Sequence, residues 1–172
     1  MEYWDIYDVY RNKTGRIGVR GEPVAPGDYH LVVHIIIFNT AGEMLIQQRQ
    51  SCKRSYPDKW DITVGGCAQA GENSQQAAMR ELREELGMTL DLTDTAPDLM
   101  VGFKEGFDDM YLVVQDVDLD SLTLQAEEVQ AVRWADRQEI LDMIDSGDFI
   151  NYHPSLIPLL FDLRDHSGGL TE

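Results

Sequence analysis

Apolar and polar residues alternate along several short stretches of the chain, and this period of two predicts β-strands. YWDIYDVY, the turn NKTG and RIGVRG predict an N-terminal hairpin, which with the loop GEPVAPGD occupies residues 1–28. HLVVHIIIF and EMLIQQR predict a second strand pair, and WDITV predicts a short strand before two glycines. LMVGFKEGF and MYLVVQDVDL predict a third pair, and AEEVQAVRWAD predicts a loop that enters a further strand.

Three other stretches carry the helical spacing of apolar residues. The first begins at a cap, Asn73 or Ser74, and ends near Leu86, before Gly87. The second is RQEILDMIDS, which Gly147 ends. The third lies in the C-terminal segment 152–172, where HPSLIPLLFDLRDH predicts a helix with Pro154 in its first turn and a kink at Pro158, followed by a frayed tail. Strands and helices mixed in this way predict an α/β or α+β fold.

Length and composition favour one folded domain. The chain has 172 residues, with 43% hydrophobic and 26% charged residues, which suits a single domain with its own core over residues 1–172. We find no internal repeat, no signal peptide and no apolar run long enough to span a membrane. The two cysteines, Cys52 and Cys67, have no zinc or disulfide spacing, so we expect a cytoplasmic protein with reduced thiols.

The net charge narrows the classes of partner. Thirty-one acidic residues against 14 basic ones give a formal charge of −17. This charge argues against binding nucleic acid through a broad basic surface and against anionic membranes. If the substrate is an anion, then local bases or a metal ion must reverse the field at the site. The loop QSCKRSYPDK is a basic segment that meets this requirement.

The first predicted helix gathers like charges on one side. At 100° per residue, Glu81, Glu84 and Glu85 share one arc, whereas Ala78, Leu82 and Leu86 form an apolar arc that can pack on a sheet. Two interpretations remain open from the helix alone. One is a solvated acidic face, and the other is a site for a hard divalent cation such as Mg²⁺, which prefers oxygen ligands.

Residues 66–88 distinguish the two interpretations, because GCAQAGENSQQAAMRELREELGM agrees with the Nudix box at all nine specified positions. These positions are Gly66, Glu72, Arg80, Glu81, Leu82, Glu84, Glu85, Gly87 and Met88. The sequence therefore resembles the Nudix superfamily. The resemblance implies an α/β/α sandwich with a mixed β-sheet, and hydrolysis of a diphosphate linkage in a nucleoside diphosphate derivative with Mg²⁺ or Mn²⁺.

The same resemblance implies roles for the residues of the box. Glu81, Glu84 and Glu85 would bind the metal, and a backbone carbonyl of Gly65 or Gly66 would complete the site. Arg80 and Glu72 would orient the carboxylates. In this interpretation, the cation compensates the repulsion between the glutamates.

Residues 3–140 are also similar to isopentenyl diphosphate isomerases. That similarity implies diphosphate contacts from Arg49 and Lys53, with Arg54 adjacent. It also implies a metal ligand or general base at Glu128, six residues before a tryptophan, with Glu127 as the alternative.

The isomerase chemistry does not carry over by position. Gly65 stands where an isomerase has its catalytic cysteine, and Cys67 stands where it has a metal-binding histidine. His30 matches another isomerase metal ligand, but without its partner we expect a strand residue with a local hydrogen bond. We also expect His34 to be structural, and Cys67 to fill a variable position.

Three functions follow as hypotheses: a Mg²⁺-dependent hydrolase of a small-molecule diphosphate, an isopentenyl diphosphate isomerase, and a sensor that binds a nucleotide derivative without cleaving it. A homodimer that pairs through the N-terminal hairpin is the candidate assembly. Glu105, Asp108 and Asp109 form a second acidic cluster, which we predict to lie in a turn between strands.

Overall fold

A computed structural model describes residues 2–164 of the chain. The strands are β1 (Tyr3–Tyr7), β2 (Lys13–Val19), β3 (His30–Phe38), β4 (Met44–Arg49), β5 (Trp60–Asp61), β6 (Val64–Cys67), β7 (Leu99–Phe103), β8 (Gly106–Val114) and β9 (Val129–Ala135). The helices are α1 (Ser74–Leu86), α2 (Arg137–Ser146) and α3 (Leu156–Arg164), with a short 3₁₀ turn at Leu119–Ser121.

Strand β3 organises a mixed sheet, as predicted. It runs parallel to β8 over its whole length and antiparallel to β6 from Val32 to Ile35. The order β5-β4-β3-β8-β7 forms the main path, with β6 beside β3 and β9 beside β4. Since β8 follows β3 only after a long crossover through α1, the two strands can be parallel neighbours.

The alternation of side chains along β3 divides the core between two helical layers. Val33, Ile35 and Ile37 are buried with the apolar face of α1. Ile36 and Phe38 point to the opposite face of the sheet and are buried with α2 and α3. This arrangement is the predicted α/β/α sandwich.

Helix α1 begins and ends where its sequence predicts. The Asn73 side chain accepts a hydrogen bond from the Gln76 backbone N–H at 2.8 Å, and the Gln76 side chain accepts one from the Asn73 backbone N–H at 2.9 Å. This reciprocal capping satisfies two N–H groups that the helix itself leaves unpaired. Gly87 ends the helix with φ of 69°, a left-handed conformation that glycine adopts without strain.

The N-terminal hairpin forms its own two-stranded sheet and docks on the main body. The Trp4 ring stacks on His30 with ring centres 4.5 Å apart. Arg11 forms an ion pair with the buried carboxylate of Asp109 at 2.7 Å. These contacts hold the hairpin over one end of β3 and β8.

Several local predictions were wrong because long-range pairing decides the outcome. The stretch WDITV splits into β5 and β6, since Thr63 donates to the Leu45 carbonyl and accepts from the Ile37 N–H. The predicted pairing of β3 with β4 does form, at Phe38 and Met44, but β4 pairs over more of its length with β9.

The predictions for the second acidic cluster and for the last helix also need correction. Asp108 and Asp109 lie within β8 rather than in a turn. Pro154 precedes α3, and Pro158 is its third residue, where the missing N–H has no helical partner to lose, so no kink is required. The predicted tail at 165–172 lies outside the described residues. Within residues 2–164, no helix has the length and apolar character needed to cross a membrane.

Candidate active site

The second half of α1, strand β6, the hairpin and two further segments enclose a polar cavity of about 120 Å³. Its charged lining contains both signs, and nearly every candidate site residue contributes to it. The lining residues are Glu2, Arg20, Arg49, Lys53, Gly65, Gly66, Gln69, Arg80, Glu81, Glu84, Glu85, Gln125 and Glu128. The structure thus brings three predicted carboxylates of α1 next to Glu128, a residue more than 40 positions away in sequence.

Glu81 lies directly against the glycine pair of β6. A Cβ atom at Gly66 would stand 2.1 Å from the Glu81 Oε1 atom, so only glycine leaves room for this carboxylate. Burial raises the pKa of Glu81, although the Arg80 guanidinium acts against that change. The Glu81 carboxylate therefore lies close to the backbone of β6 at Gly66.

Glu85 is the most buried carboxylate of the box. Its Oε2 atom accepts a hydrogen bond from the Gln47 Nε2 atom at 2.9 Å. Burial raises the pKa of Glu85 to about 8, and the nearby charges of Glu81, Glu128 and Asp61 act in the same direction. The Gln47 Oε1 atom is buried without a hydrogen-bond partner. A buried carboxylate with no cation beside it is costly, which makes this position suited to a metal ion.

Arg80 connects the acidic residues around α1. Its Nε atom contacts Glu72 Oε1 at 2.7 Å, and its Nη1 atom lies 2.9 Å from Glu81 Oε1 and 3.0 Å from Glu84 Oε2. Its Nη2 atom donates to the backbone carbonyl of Cys67 at 3.0 Å. One guanidinium thus joins the glycine strand, the loop before α1 and the helix itself, as predicted for an orienting residue.

The basic loop contributes two of its three predicted cations. Arg49 and Lys53 line the cavity, and Lys53 forms an ion pair with Glu128. The backbone N–H of Gln50 also donates to the Glu128 carbonyl at 2.9 Å, which ties this loop to the segment before β9. Arg54 is exposed and, like Glu127, does not line the cavity.

Arg20 and Glu2, which sequence reasoning did not select, also line the cavity. They are neighbours on the docked hairpin, where the Arg20 Nη1 atom lies 2.5 Å from a Glu2 oxygen. A basic residue in a predicted hairpin carries no local signal of a site. Only the docking of the hairpin brings this cation to the cavity.

The donor set of the cavity fits a hard divalent cation. Among residues 2–164, no three His, Cys, Asp or Glu side chains already stand close enough to hold a metal ion. The carboxylates turn instead to Arg80, Gln47 and Lys53. These carboxylates are oxygen donors that line one cavity, and burial disfavours the ionised form of Glu81 and Glu85, so a cation would compensate them.

Residues 28–155 match the NUDIX domain, which covers most of the chain. The chain belongs to the Nudix family. An uncharacterised Nudix hydrolase of Listeria monocytogenes is 45% identical over 165 residues, which are 96% of each chain. A crystal structure of a Deinococcus radiodurans protein superposes with a TM-score of 0.73 at 22% identity, over 92% of this chain and 97% of that one. It supports the fold.

The similarity to isomerases covers a smaller part of this Nudix chain. An isopentenyl-diphosphate Delta-isomerase of Nocardia farcinica is 39% identical over 69 residues, which are 40% of this chain and 39% of that protein. This match is consistent with the predicted branch of the family. The whole-length likeness, however, is to a protein named as a Nudix hydrolase.

Two histidines and a cysteine near the box, His34, His30 and Cys67, do not line the cavity. His34 Nδ1 lies 2.8 Å from Asp108 Oδ1, and its ring packs against Gly65. The His30 ring is held by stacking, and its Nδ1 atom is buried without the predicted local hydrogen bond. Burial raises the pKa of the Cys67 thiol, which disfavours the reactive thiolate.

Proposed function

We propose that this Nudix protein hydrolyses a diphosphate linkage in a nucleoside diphosphate derivative or a related small diphosphate, by attack of water on phosphorus with Mg²⁺ or Mn²⁺. The observation that carries the proposal is that acidic and basic side chains line one cavity together. The glutamates of α1 line the same polar cavity as Arg49 and Lys53. This arrangement can hold a cation and an anionic diphosphate together, even in a protein of charge −17.

Glu81, Glu84, Glu85 and Glu128 would hold the metal, together with a backbone carbonyl of Gly65 or Gly66. When bound, the ion supplies neutralisation of the phosphate oxygens and lowers the pKa of the attacking water. Arg80 keeps Glu81 and Glu84 within reach of the site through its contacts at 2.9 and 3.0 Å.

The basic side chains of the cavity would bind and orient the diphosphate. Arg49 ends β4, Lys53 lies on the loop that follows it, and Arg20 reaches the cavity from the hairpin. Lys53 is paired with Glu128 in the free protein, so an incoming phosphate would compete with that carboxylate for the lysine. Glu128 would then be free to bind the metal or to accept a proton from the attacking water, directly or through one more water.

Two features support hydrolysis over isomerisation. Proton transfer to an allylic carbon needs an acid–base group where Gly65 provides none, and the Cys67 thiol has its pKa raised by burial. The three box glutamates of α1 and Arg80 all line the cavity. A sensor that only binds a nucleotide derivative does not require this full set.

The cytoplasmic location stays a prediction.

A product scan tests the proposal. The protein is incubated with Mg²⁺ and a panel of nucleoside diphosphate derivatives plus isopentenyl diphosphate, and products are followed by ³¹P NMR and mass spectrometry. We expect a split diphosphate in at least one compound, with no activity in EDTA or in the folded Glu84→Gln variant. Isomerised isopentenyl diphosphate without phosphate release would refute hydrolysis, and tight binding without any product would favour the sensor.

A further inference from the structure

Strand β7 is an unpaired edge of the main sheet. It ends the sheet order and pairs with β8 alone within the described part of the chain. Three of its apolar side chains are exposed, namely Met100 at 60%, Val101 at 38% and Phe103 at 40%. An edge strand that is apolar, exposed and free of charge is a template for pairing with another strand.

We propose that β7 pairs antiparallel with β7 of a second copy of this chain, about a two-fold axis at Val101. This register sets Met100 opposite Gly102 and Leu99 opposite Phe103. It also sets Asp98, before the strand, opposite Lys104, after it. Directly opposed side chains in such a pair have Cβ atoms about 5 Å apart, so each of these contacts forms twice.

The strand is complementary to itself in both size and charge. Nothing lies within 4 Å of the Cβ position of Gly102, which leaves space for the Met100 side chain of the second copy. Asp98 and Lys104 are both exposed, and the exposed Lys104 contacts its neighbour Glu105 at 3.4 Å. In the proposed register, Asp98 and Lys104 place opposite charges across the axis. Residues 99–103 contain no charge, so the pairing desolvates no ion in a chain that is strongly acidic elsewhere.

The other exposed edge fits a second copy less well. Strand β2 of the hairpin, the interface expected from the sequence, carries Lys13 and Arg16. Both are already paired, with Asp5 and Asp28. Self-pairing of β2 would crowd these charges, whereas β7 places opposite charges together. No residue of β7 lines the active-site cavity.

Sedimentation velocity and light scattering over a concentration series, at about 0.15 M salt, test the proposal. We expect the wild-type chain to dimerise, and Val101→Lys to be monomeric, because two lysines would meet at the axis. Val114→Lys, at a valine that is 51% exposed and lies outside the paired segment, should dimerise normally. Thermal melts check that each variant folds, and hydrolysis should be unchanged in both.

A charge exchange tests the register itself. Lys104→Asp should weaken the dimer about tenfold, because it opposes Asp98 with a like charge at two symmetric places. Adding Asp98→Lys to that variant should restore the wild-type dissociation constant. A wild-type chain that stays monomeric at every concentration would overturn the proposal. So would a dimer that Val101→Lys leaves intact, or a double variant without rescue.

Discussion

Replacing Glu85 by glutamine should stabilise the metal-free protein and abolish its catalysis. Burial raises the pKa of this carboxylate from its usual 4.5 to about 8 in the folded protein. Its ionised form is therefore unfavourable by up to about 5 kcal/mol relative to the unfolded chain. The amide that replaces the carboxylate is neutral, and its oxygen can still accept the hydrogen bond from Gln47.

The sign of the pH dependence follows from the raised pKa. While Glu85 is protonated, the folded protein does not bear the cost of a buried charge at this position. This contribution to the free energy of unfolding is fully present below about pH 4.5, and it is lost as the pH rises through about 8. The increase in the free energy of unfolding caused by Glu85→Gln should therefore grow with pH, from about 1 kcal/mol at pH 5 to about 5 kcal/mol at pH 9.

Urea denaturation in EDTA at pH 5, 7 and 9 measures these differences in the free energy of unfolding. Glu84→Gln is the matched control, since the Glu84 side chain is 45% exposed and should give a small, nearly constant change. Added Mg²⁺ should stabilise the wild type but not Glu85→Gln, because a ligand stabilises only the state that binds it. If the free energies of unfolding of the wild type and Glu85→Gln in EDTA changed with pH in parallel, Glu85 would not be a buried, uncompensated charge.

Three further variants test single contacts of the site. Gly66→Ala should lower kcat about 100-fold in a hydrolysis assay, because the new Cβ atom would displace the Glu81 carboxylate. Gln47→Leu should weaken Mn²⁺ binding at least about tenfold by titration calorimetry, because it removes the donor that positions Glu85. Lys53→Ala should raise KM about tenfold or more, because it removes a charged contact to the diphosphate.

Each of these outcomes has a clear contrary result. Gly102→Ala, where a Cβ atom meets open space, should keep wild-type turnover, and equal losses at both glycines would remove the steric explanation. Unchanged Mn²⁺ affinity in Gln47→Leu would show that this amide does not position its carboxylate. Arg54→Ala, adjacent to Lys53 but outside the cavity, should have little effect on KM. A larger effect there would move the diphosphate contact out of the cavity.

The sequence predicts what short-range physics decides. Helix α1 could be placed because its cap at Asn73, its apolar stripe and Gly87 are all local signals. The arc of three glutamates follows from helical spacing alone, and the spacing of the whole box identifies the family. Strand β3 could be placed because a run of β-branched residues between turns favours an extended chain.

Contacts between distant segments could not be read from these patterns. Thr63 divides one predicted strand into two through hydrogen bonds with Leu45 and Ile37, residues that only the folded sheet brings near it. Asp109 looks like a turn residue until β8 buries it against Arg11 of the hairpin. A local pattern records the propensity of a segment, whereas its partner depends on topology.

Arg20 shows why contacts between distant segments matter for function in an acidic chain. The sequence predicts that local bases must offset a charge of −17 at the site, and it offers a single basic loop for that purpose. In the folded protein, the loop supplies Lys53 and the end of β4 supplies Arg49, but Lys53 is already engaged with Glu128. The hairpin adds Arg20, again paired with a carboxylate, that of Glu2. Because Lys53 and Arg20 are paired with carboxylates in the free protein, the proposed diphosphate would gain them only by displacing a carboxylate, so we expect binding to favour ligands with enough negative charge to compete.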